Sequence, residues 1–196
     1  MSFIDQAFRG LWSGDKNNND RMTEKILSGN NEVSFSPSRG GIIASLKFSG
    51  TEILYLDNKT FANTAANVRG GIPILFPNAG IVESSNFPGL KQHGFARNSD
   101  EWKSELIPNG FRETLLVKKE NQISYPYDCS LSVEGTFPDK NSFTIIQTVK
   151  NLEELTKLPI AFGLHPYFKV ADEEKKNIRF NFEGGQQIQD QASVWM

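Results

Sequence analysis

Short segments rich in β-branched and aromatic residues, separated by Gly, Pro, Asn and Asp, make up most of the chain after residue 31. Residues 143–149, Phe-Thr-Ile-Ile-Gln-Thr-Val, have especially strong β-strand character. No long stretch shows the 3.6-residue periodicity of an amphipathic helix, so we expect an antiparallel, all-β sandwich or barrel. The predicted strands are residues 32–35, 41–48, 52–56, 114–119, 130–135, 143–150 and 177–182.

The first 31 residues differ in composition from the rest of the chain. They contain the polar run Asp-Lys-Asn-Asn-Asn-Asp at 15–20, which is well solvated and packs poorly. We predict that residues 1–31 are a leader or loop, in which 23–27 form either a helical turn or a first strand. Residues 32–196 are predicted to form one domain.

Composition excludes several classes of protein. The chain is 38% hydrophobic with a formal net charge of −2, which favours a folded protein without the clustered basic surface that nucleic acid requires. No segment approaches the ~20 apolar residues of a membrane span, and no secretory leader is recognisable. Cys129 is the sole cysteine, which excludes an internal disulfide and fits a reducing compartment. We therefore expect a cytoplasmic protein with neither nucleic-acid nor membrane partners.

The chain has only two histidines, and each lies among glycine and aromatic residues. His93 lies in Lys-Gln-His-Gly-Phe-Ala-Arg at 91–97, and His165 in Phe-Gly-Leu-His-Pro-Tyr-Phe at 162–168. Because imidazole titrates near neutral pH, these residues are candidates for proton transfer or substrate binding. The alternative for each is a structural histidine that packs in the fold.

Two arginines and a glutamine accompany the histidines. Arg69 precedes paired glycines that would let the backbone approach a ligand, or would simply form a bulge beside a solvated arginine. Strand alternation would place His93 and Arg97 on one face and Gln92 on the other, whereas a bend at Gly94 would bring Gln92 round. Such a polar cluster beside aromatic rings suits a sugar; the alternative is an ordinary strand with an exposed arginine.

Two other kinds of site lack support in the sequence. Two histidines without a compact group of carboxylates do not match a zinc or iron site, so we expect no bound metal. The Arg-Gly-Gly segment at 69–71 lacks the Gly-Lys-Ser/Thr of a phosphate-binding loop, and no dinucleotide-binding motif is present.

Three motifs in this order resemble the aldose 1-epimerase (galactose mutarotase) superfamily, particularly its glucose-6-phosphate 1-epimerase-like branch. They are Val-Arg-Gly-Gly-Ile-Pro at 68–73, Gln-His-Gly-Phe-Ala-Arg at 92–97 and Gly-Leu-His-Pro-Tyr-Phe at 163–168. Residues 37–43 and 52–57 resemble the early strands of that branch, and the similarity extends from about residue 32 to about 182. The resemblance implies an all-β, galactose mutarotase-like β-supersandwich that is incomplete at its C-terminal end.

The resemblance also implies a reaction, the interconversion of the α and β anomers of a hexose or hexose 6-phosphate without a cofactor. In that chemistry a carboxylate removes the proton of the anomeric hydroxyl while a histidine protonates the ring oxygen. Carried over by motif, His165 would be the general acid and His93 would bind near the ring oxygen. Arg69, Gln92 and Arg97 would hold hydroxyls or a phosphate of the sugar.

The chain departs from the family pattern beyond His165. Full-length members carry their catalytic glutamate in a later segment, whereas 31 residues follow His165 here, as 196 minus 165. Glu183 and Asp190 are available carboxylates, but neither matches the motif of the catalytic base. The chain is thus expected to be an epimerase-like protein or a catalytically silent sugar-binding module. A third alternative is an interaction protein, because an incomplete sandwich would form a homodimer, cover its edges otherwise or be marginally stable.

Overall fold

This computed structural model describes residues 22–179 of the chain, which contain ten β-strands and one short α-helix. The strands are β1 Glu24–Ser28, β2 Asn31–Ser36, β3 Ile42–Phe48, β4 Thr51–Glu52, β5 Ile74–Leu75, β6 Lys103–Ile107, β7 Gly110–Val117, β8 Cys129–Asp139, β9 Ser142–Asn151 and β10 Gly163–Leu164. The helix is α1, Asn58–Ala62, and three 3-10 turns cover Pro37–Arg39, Ala96–Asn98 and Asp172–Asn177.

The strands form two four-stranded antiparallel sheets and one small pair. The first sheet has the order β1-β2-β3-β4 and the second the order β6-β7-β8-β9. Strands β5 and β10 pair antiparallel, with Leu75 opposite Gly163 and Ile74 opposite Leu164. Neighbouring strands of each large sheet are also neighbours in sequence, which is the meander arrangement expected of short strands joined by tight turns.

The core lies between the two large sheets. Phe35 of β2 stacks on Phe111 of β7, with 3.9 Å between the ring centroids. Along β8, buried side chains alternate with partly exposed ones, so that Leu131, Val133 and Phe137 all face the core. This arrangement confirms the predicted all-β sandwich.

The differences from the predicted elements have local causes. Residues 24–28 form strand β1, the second of the two alternatives for this segment, while the division at residue 31 stays a prediction. Helix α1 was not predicted; it begins after Asp57, whose side chain accepts hydrogen bonds from the backbone amides of Lys59 and Thr60. The predicted strand at 177–182 is wrong over 177–179, because Asn177 ends a 3-10 turn and the next two residues are in no strand. Residues 180–182 lie outside the described range.

None of the helices in residues 22–179 has the length and apolarity that a membrane span requires.

A buried carboxyl group interrupts the apolar core. Glu113 of β7 is 0% exposed, and neither of its carboxylate oxygens has a hydrogen-bond partner. Burial raises the pKa of Glu113 well above its ordinary range, and the nearby charge of Glu24 raises the pKa further. The Glu24 carboxylate accepts a hydrogen bond from Ser104 Oγ at 2.5 Å. Burial and the charge of Glu24 thus favour the neutral form of the Glu113 carboxyl group in the folded protein.

We expect Glu113→Leu to raise the free energy of unfolding at neutral pH by about 1–3 kcal/mol, the usual cost of an unsatisfied buried polar group. Because the folded state binds a proton that the unfolded state releases, the contribution of Glu113 to stability is lost as the pH rises through its raised pKa. Urea unfolding between pH 4 and 8 should thus show a flatter pH dependence in the variant. Glu120→Leu, at an exposed turn, is the matched control; a Glu113→Leu variant less stable than the parent would contradict the prediction.

Candidate functional site

The pairing of β5 with β10 brings the two histidine segments together. The backbone amide of His165 donates to the carbonyl of Pro73 at 3.2 Å, directly before β5. On the other side of β5, Phe76 forms an isolated bridge with Gly94. The imidazole rings of His93 and His165 consequently lie with their centroids 5.6 Å apart and edge to face. Both histidines of the chain thus belong to one site.

The backbone at His93 is unusual. His93 has φ of 69° and Gly94 has φ of 66°, so two consecutive residues adopt the left-handed conformation. The predicted strand alternation at 92–97 is therefore wrong, because these residues form a turn followed by the 3-10 turn Ala96–Asn98. The chain bends here, as the alternative expected, while the approach of Gln92 to His93 stays a prediction. A β-carbon at Gly94 would lie 1.9 Å from the carbonyl oxygen of Phe76, so the close approach requires glycine.

The His93 ring is held by the main chain. Its Nδ1 lies 2.6 Å from the carbonyl oxygen of Ala79. Burial lowers the pKa of His93, and the positive charges of Arg97 and His165 lower the pKa further, whereas the hydrogen bond with Ala79 acts in the opposite direction. The balance of these effects favours the neutral form of the His93 ring.

His165 is more accessible than His93. Its side chain is exposed among the described residues, and its ring lies 4.8 Å from the ring of Tyr167. The amide of Tyr167 donates to the carbonyl of Gly71 at 2.9 Å, and its carbonyl accepts from the amide of Tyr55, also at 2.9 Å. Tyr167, anchored on both sides, is the aromatic neighbour of the histidine pair. Sequence reasoning gave no role to Tyr167, although it lies in the quoted histidine motif.

The aromatic residue of the other motif has a different place. Phe95 packs against Phe76 and Tyr125, with ring centroids 6.1 Å away in both cases. It therefore contributes to the core beneath the site, and Tyr167 supplies the ring next to His165.

Arg97 lies in the 3-10 turn that follows His93. Its Nε is buried and has no hydrogen-bond partner, and burial lowers the pKa of the guanidinium. An unsatisfied buried donor typically costs about 1–3 kcal/mol, which makes Arg97 a candidate ligand-binding residue. The turn is packed tightly against Gly40, where a β-carbon would lie 1.9 Å from the carbonyl oxygen of Arg97.

A second arginine, Arg39, supports this region. Arg39 is 7% exposed and shares a void of about 10 Å³ with Arg97. Its guanidinium donates hydrogen bonds to backbone carbonyls at the end of helix α1 and in the loop beyond it, those of Thr60, Phe61, Asn63, Thr64 and Ala66. These contacts occupy Arg39 in a structural role, whereas half-buried Arg97 has a buried Nε with no hydrogen-bond partner among residues 22–179.

Arg69 and Gln92 are both exposed. The glycines after Arg69 serve the packing of the main chain, because β-carbons at Gly70 and Gly71 would lie 2.4 and 2.5 Å from the carbonyl oxygens of Tyr55 and Ile43. The structure thus brings His93, His165 and Arg97 together, while substrate contacts of Arg69 and Gln92 stay predictions. Glu183 and Asp190 lie outside the described residues.

The predicted absence of a metal site stays an expectation. Residues 22–179 contain no group of three or more His, Cys, Asp or Glu side chains placed to hold a metal ion. Proton transfer and hydrogen bonding are the chemistry that two imidazoles can supply themselves.

A β-sandwich with these two histidine segments side by side has the galactose mutarotase-like fold. It superimposes on a galactose mutarotase-like protein from Lactobacillus casei ATCC 334 with a TM-score of 0.63, at 23% identity over 76% of this chain and 50% of that one. The family model described as Aldose 1-epimerase matches residues 25–190. The chain belongs to the aldose 1-epimerase family.

Two further comparisons give a structural neighbour and a relative whose name agrees with the glucose-6-phosphate 1-epimerase-like branch. The Slr1438 protein of Synechocystis sp. PCC 6803 superimposes with a TM-score of 0.68 at 28% identity, over 88% of this chain and 58% of that one. A protein of Cenchrus ciliaris, provisionally named glucose-6-phosphate 1-epimerase, is 26% identical over 145 residues. That alignment covers 68% of this chain and 42% of the relative, so the chain spans less than half of its length.

Proposed function

We propose that the protein binds a hexose or hexose 6-phosphate at the site of His93 and His165 and interconverts its α and β anomers. The observation that carries the proposal is the 5.6 Å separation of the two imidazole rings, which come from segments far apart in sequence. Membership of the aldose 1-epimerase family supports the same chemistry. In this proposal the protein works in carbohydrate metabolism, and the cytoplasmic location and the homodimer stay predictions.

His165 is the general acid in the proposed reaction. Its exposed imidazole donates a proton to the ring oxygen while a base removes the proton of the anomeric hydroxyl. The bond between the anomeric carbon and the ring oxygen breaks, which yields the open-chain aldehyde and a free hydroxyl. Rotation about the adjacent carbon–carbon bond and reclosure on the other face give the second anomer. Only protons are transferred, so no cofactor is expected.

Arg97 is the proposed anchor for the sugar or its phosphate. Its buried Nε has an unused donor, and its charge is close enough to act on His93. A guanidinium can bind phosphate oxygens through paired hydrogen bonds, and Arg69 and Gln92 would add contacts from the exposed rim. Tyr167 would present its ring to the C–H face of the sugar beside His165.

A second candidate function is sugar binding without catalysis. Arg97 and His165 are the side chains whose charges act on the pKa of His93, and no carboxylate of residues 22–179 contributes to it. General-base assistance is worth about 10²–10⁴-fold in rate, so a site without a base would bind sugar but exchange anomers slowly. Glu183 and Asp190 are carboxylates outside the described residues, and neither matches the motif of the catalytic base.

The test is two-dimensional exchange NMR on glucose, galactose and glucose 6-phosphate, with and without the protein. We expect cross-peaks between the anomers to build up faster in the presence of protein. The acceleration should be largest for the sugar whose phosphate or hydroxyl groups bind to Arg97. Line broadening of a sugar without faster exchange would support the binding module. A folded protein that causes neither effect with any of the three sugars would refute the proposal.

A further inference from the structure

Asn78 fastens the loop that carries His93. This loop, residues 79–93, leaves the site directly after Asn78 and returns to it at His93. The Asn78 side-chain amide donates from Nδ2 to the carbonyl of Gly80 at 2.7 Å and to the carbonyl of Lys91 at 3.0 Å. Because these carbonyls lie near the two ends of the loop, a single side chain closes its base.

The orientation of the Asn78 amide follows from these contacts. Both carbonyls need a donor, so Nδ2 must face them and Oδ1 must lie on the other side. Asn78 is 4% exposed, and its Oδ1 has no hydrogen-bond partner among the described residues. A buried polar atom without a partner is costly, so its presence needs an explanation. The simplest one is that the Nδ2 group of Asn78 holds the loop in place.

The held loop sets the chemistry of His93. A carbonyl oxygen only accepts hydrogen bonds, so the 2.6 Å contact with Ala79 requires the proton on Nδ1 of His93. The neutral ring then presents an unprotonated Nε2, which accepts hydrogen bonds and cannot donate one. Arg97, His165 and burial all disfavour a second proton on the ring, so this is the form expected at pH 7.

We propose that Asn78 is a positioning residue that holds His93 in the Nδ1–H tautomer, so that His93 accepts a hydrogen bond from a hydroxyl group of the sugar. The proposal rests on the proposed function for the identity of the ligand. It changes the role that the family resemblance implies for His93, because the ring oxygen has only lone pairs and cannot bind to an acceptor. His165 alone then protonates the ring oxygen. His93 recognises a hydroxyl group of the sugar by accepting its hydrogen bond.

The first test measures the tautomer without any ligand. In protein labelled with ¹⁵N histidine, the two histidines give four ring-nitrogen signals, which His165→Ala assigns. We expect His93 of the parent protein to show a protonated Nδ1 and an unprotonated Nε2 at pH 7. In Asn78→Ala, the signals should move towards the Nε2–H form that predominates in free histidine. Asn86→Ala, an exposed asparagine in the same loop, should leave the signals unchanged.

Two results would overturn the role of Asn78. One is an Nε2–H tautomer of His93 in the parent protein, which needs no variant to observe. The other is a folded Asn78→Ala whose His93 signals match those of the parent. If Asn78→Ala does not fold, Asn78→Ser retains a single donor and should show a partial shift; a folded Asn78→Ser with unchanged signals would equally contradict the role.

The second test examines the acceptor role with sugar. Affinities of glucose and its monodeoxy analogues are measured by NMR titration for the parent protein and for His93→Ala. We expect one analogue to bind to the parent protein about tenfold more weakly than glucose does, because a hydrogen bond is lost. To His93→Ala, the same analogue and glucose should bind with equal affinity. If each analogue binds more weakly than glucose by the same factor in the parent protein and in His93→Ala, His93 is not the acceptor. If no sugar binds, the proposed function and the acceptor role both fail, while the tautomer still decides the role of Asn78.

Discussion

Replacement of His165 by alanine is expected to slow anomer exchange by about 10²–10⁴-fold relative to the parent protein, the usual contribution of a general acid. Alanine cannot protonate the ring oxygen, and the neutral His93 at 5.6 Å has its Nδ1 proton bound to Ala79 and no proton on Nε2. The remaining histidine therefore cannot take over the step. Exchange NMR at saturating sugar separates the loss of rate from any loss of affinity.

The matched control is Lys169→Ala, an exposed position four residues further along the same segment. Its exchange rate should equal that of the parent. Because the His165 side chain is exposed, its removal should leave the midpoint of urea unfolding almost unchanged. An unchanged midpoint would show that the variant is folded and that its loss of activity has another cause. A folded His165→Ala that retains at least a third of the parent rate would mean that another group protonates the ring oxygen.

The second large effect is expected from Gly94→Ala, which should lower the free energy of unfolding by about 2–5 kcal/mol. Alanine at φ of 66° is strained, and its β-carbon would lie 1.9 Å from the carbonyl oxygen of Phe76 and 2.3 Å from the carbonyl carbon. The main chain must move to relieve these contacts. Since Gly94 follows His93 and forms a bridge with Phe76, the move should also displace the His93 ring.

Gly89→Ala separates the strain from the contact. Gly89 has φ of 73°, but a β-carbon there would have nothing within 4 Å. This variant should therefore lose only about 1–2 kcal/mol, the cost of the left-handed conformation alone. Urea unfolding measures both variants, and sugar binding should be weakened only in Gly94→Ala. Equal destabilisation of the two variants would show that the backbone near Phe76 yields at little cost.

The sequence was informative for strands whose own side chains determine their state. Residues 143–150, dense in β-branched and aromatic residues, lie within β9, and the predicted segment 130–135 lies within the longer strand β8. Strand β6 was missed because Lys103 and Glu105 are exposed on it and give it little apolar character. Strands β5 and β10 have two residues each and exist through their mutual pairing, which no local pattern encodes.

The sequence indicated candidate residues for the site but not their arrangement in space. The motifs identify His93, His165 and Arg97 as candidates, and the structure places them together. The left-handed backbone at His93 could not be predicted, because this conformation is disfavoured for residues with a β-carbon and is imposed by contacts with distant segments. Asn78 likewise acts through carbonyl groups of Gly80 and Lys91, which the amino-acid type does not reveal.

The side chains that shape this site are anchored mainly to peptide carbonyls. Arg39 is bound to five of them, Asn78 to two and His93 to one. Every amino acid supplies a carbonyl, so the partner positions can mutate without altering these hydrogen bonds. Selection on the site therefore acts on few side chains and on the path of the backbone. Any residue at position 79 would supply the carbonyl that holds the His93 ring.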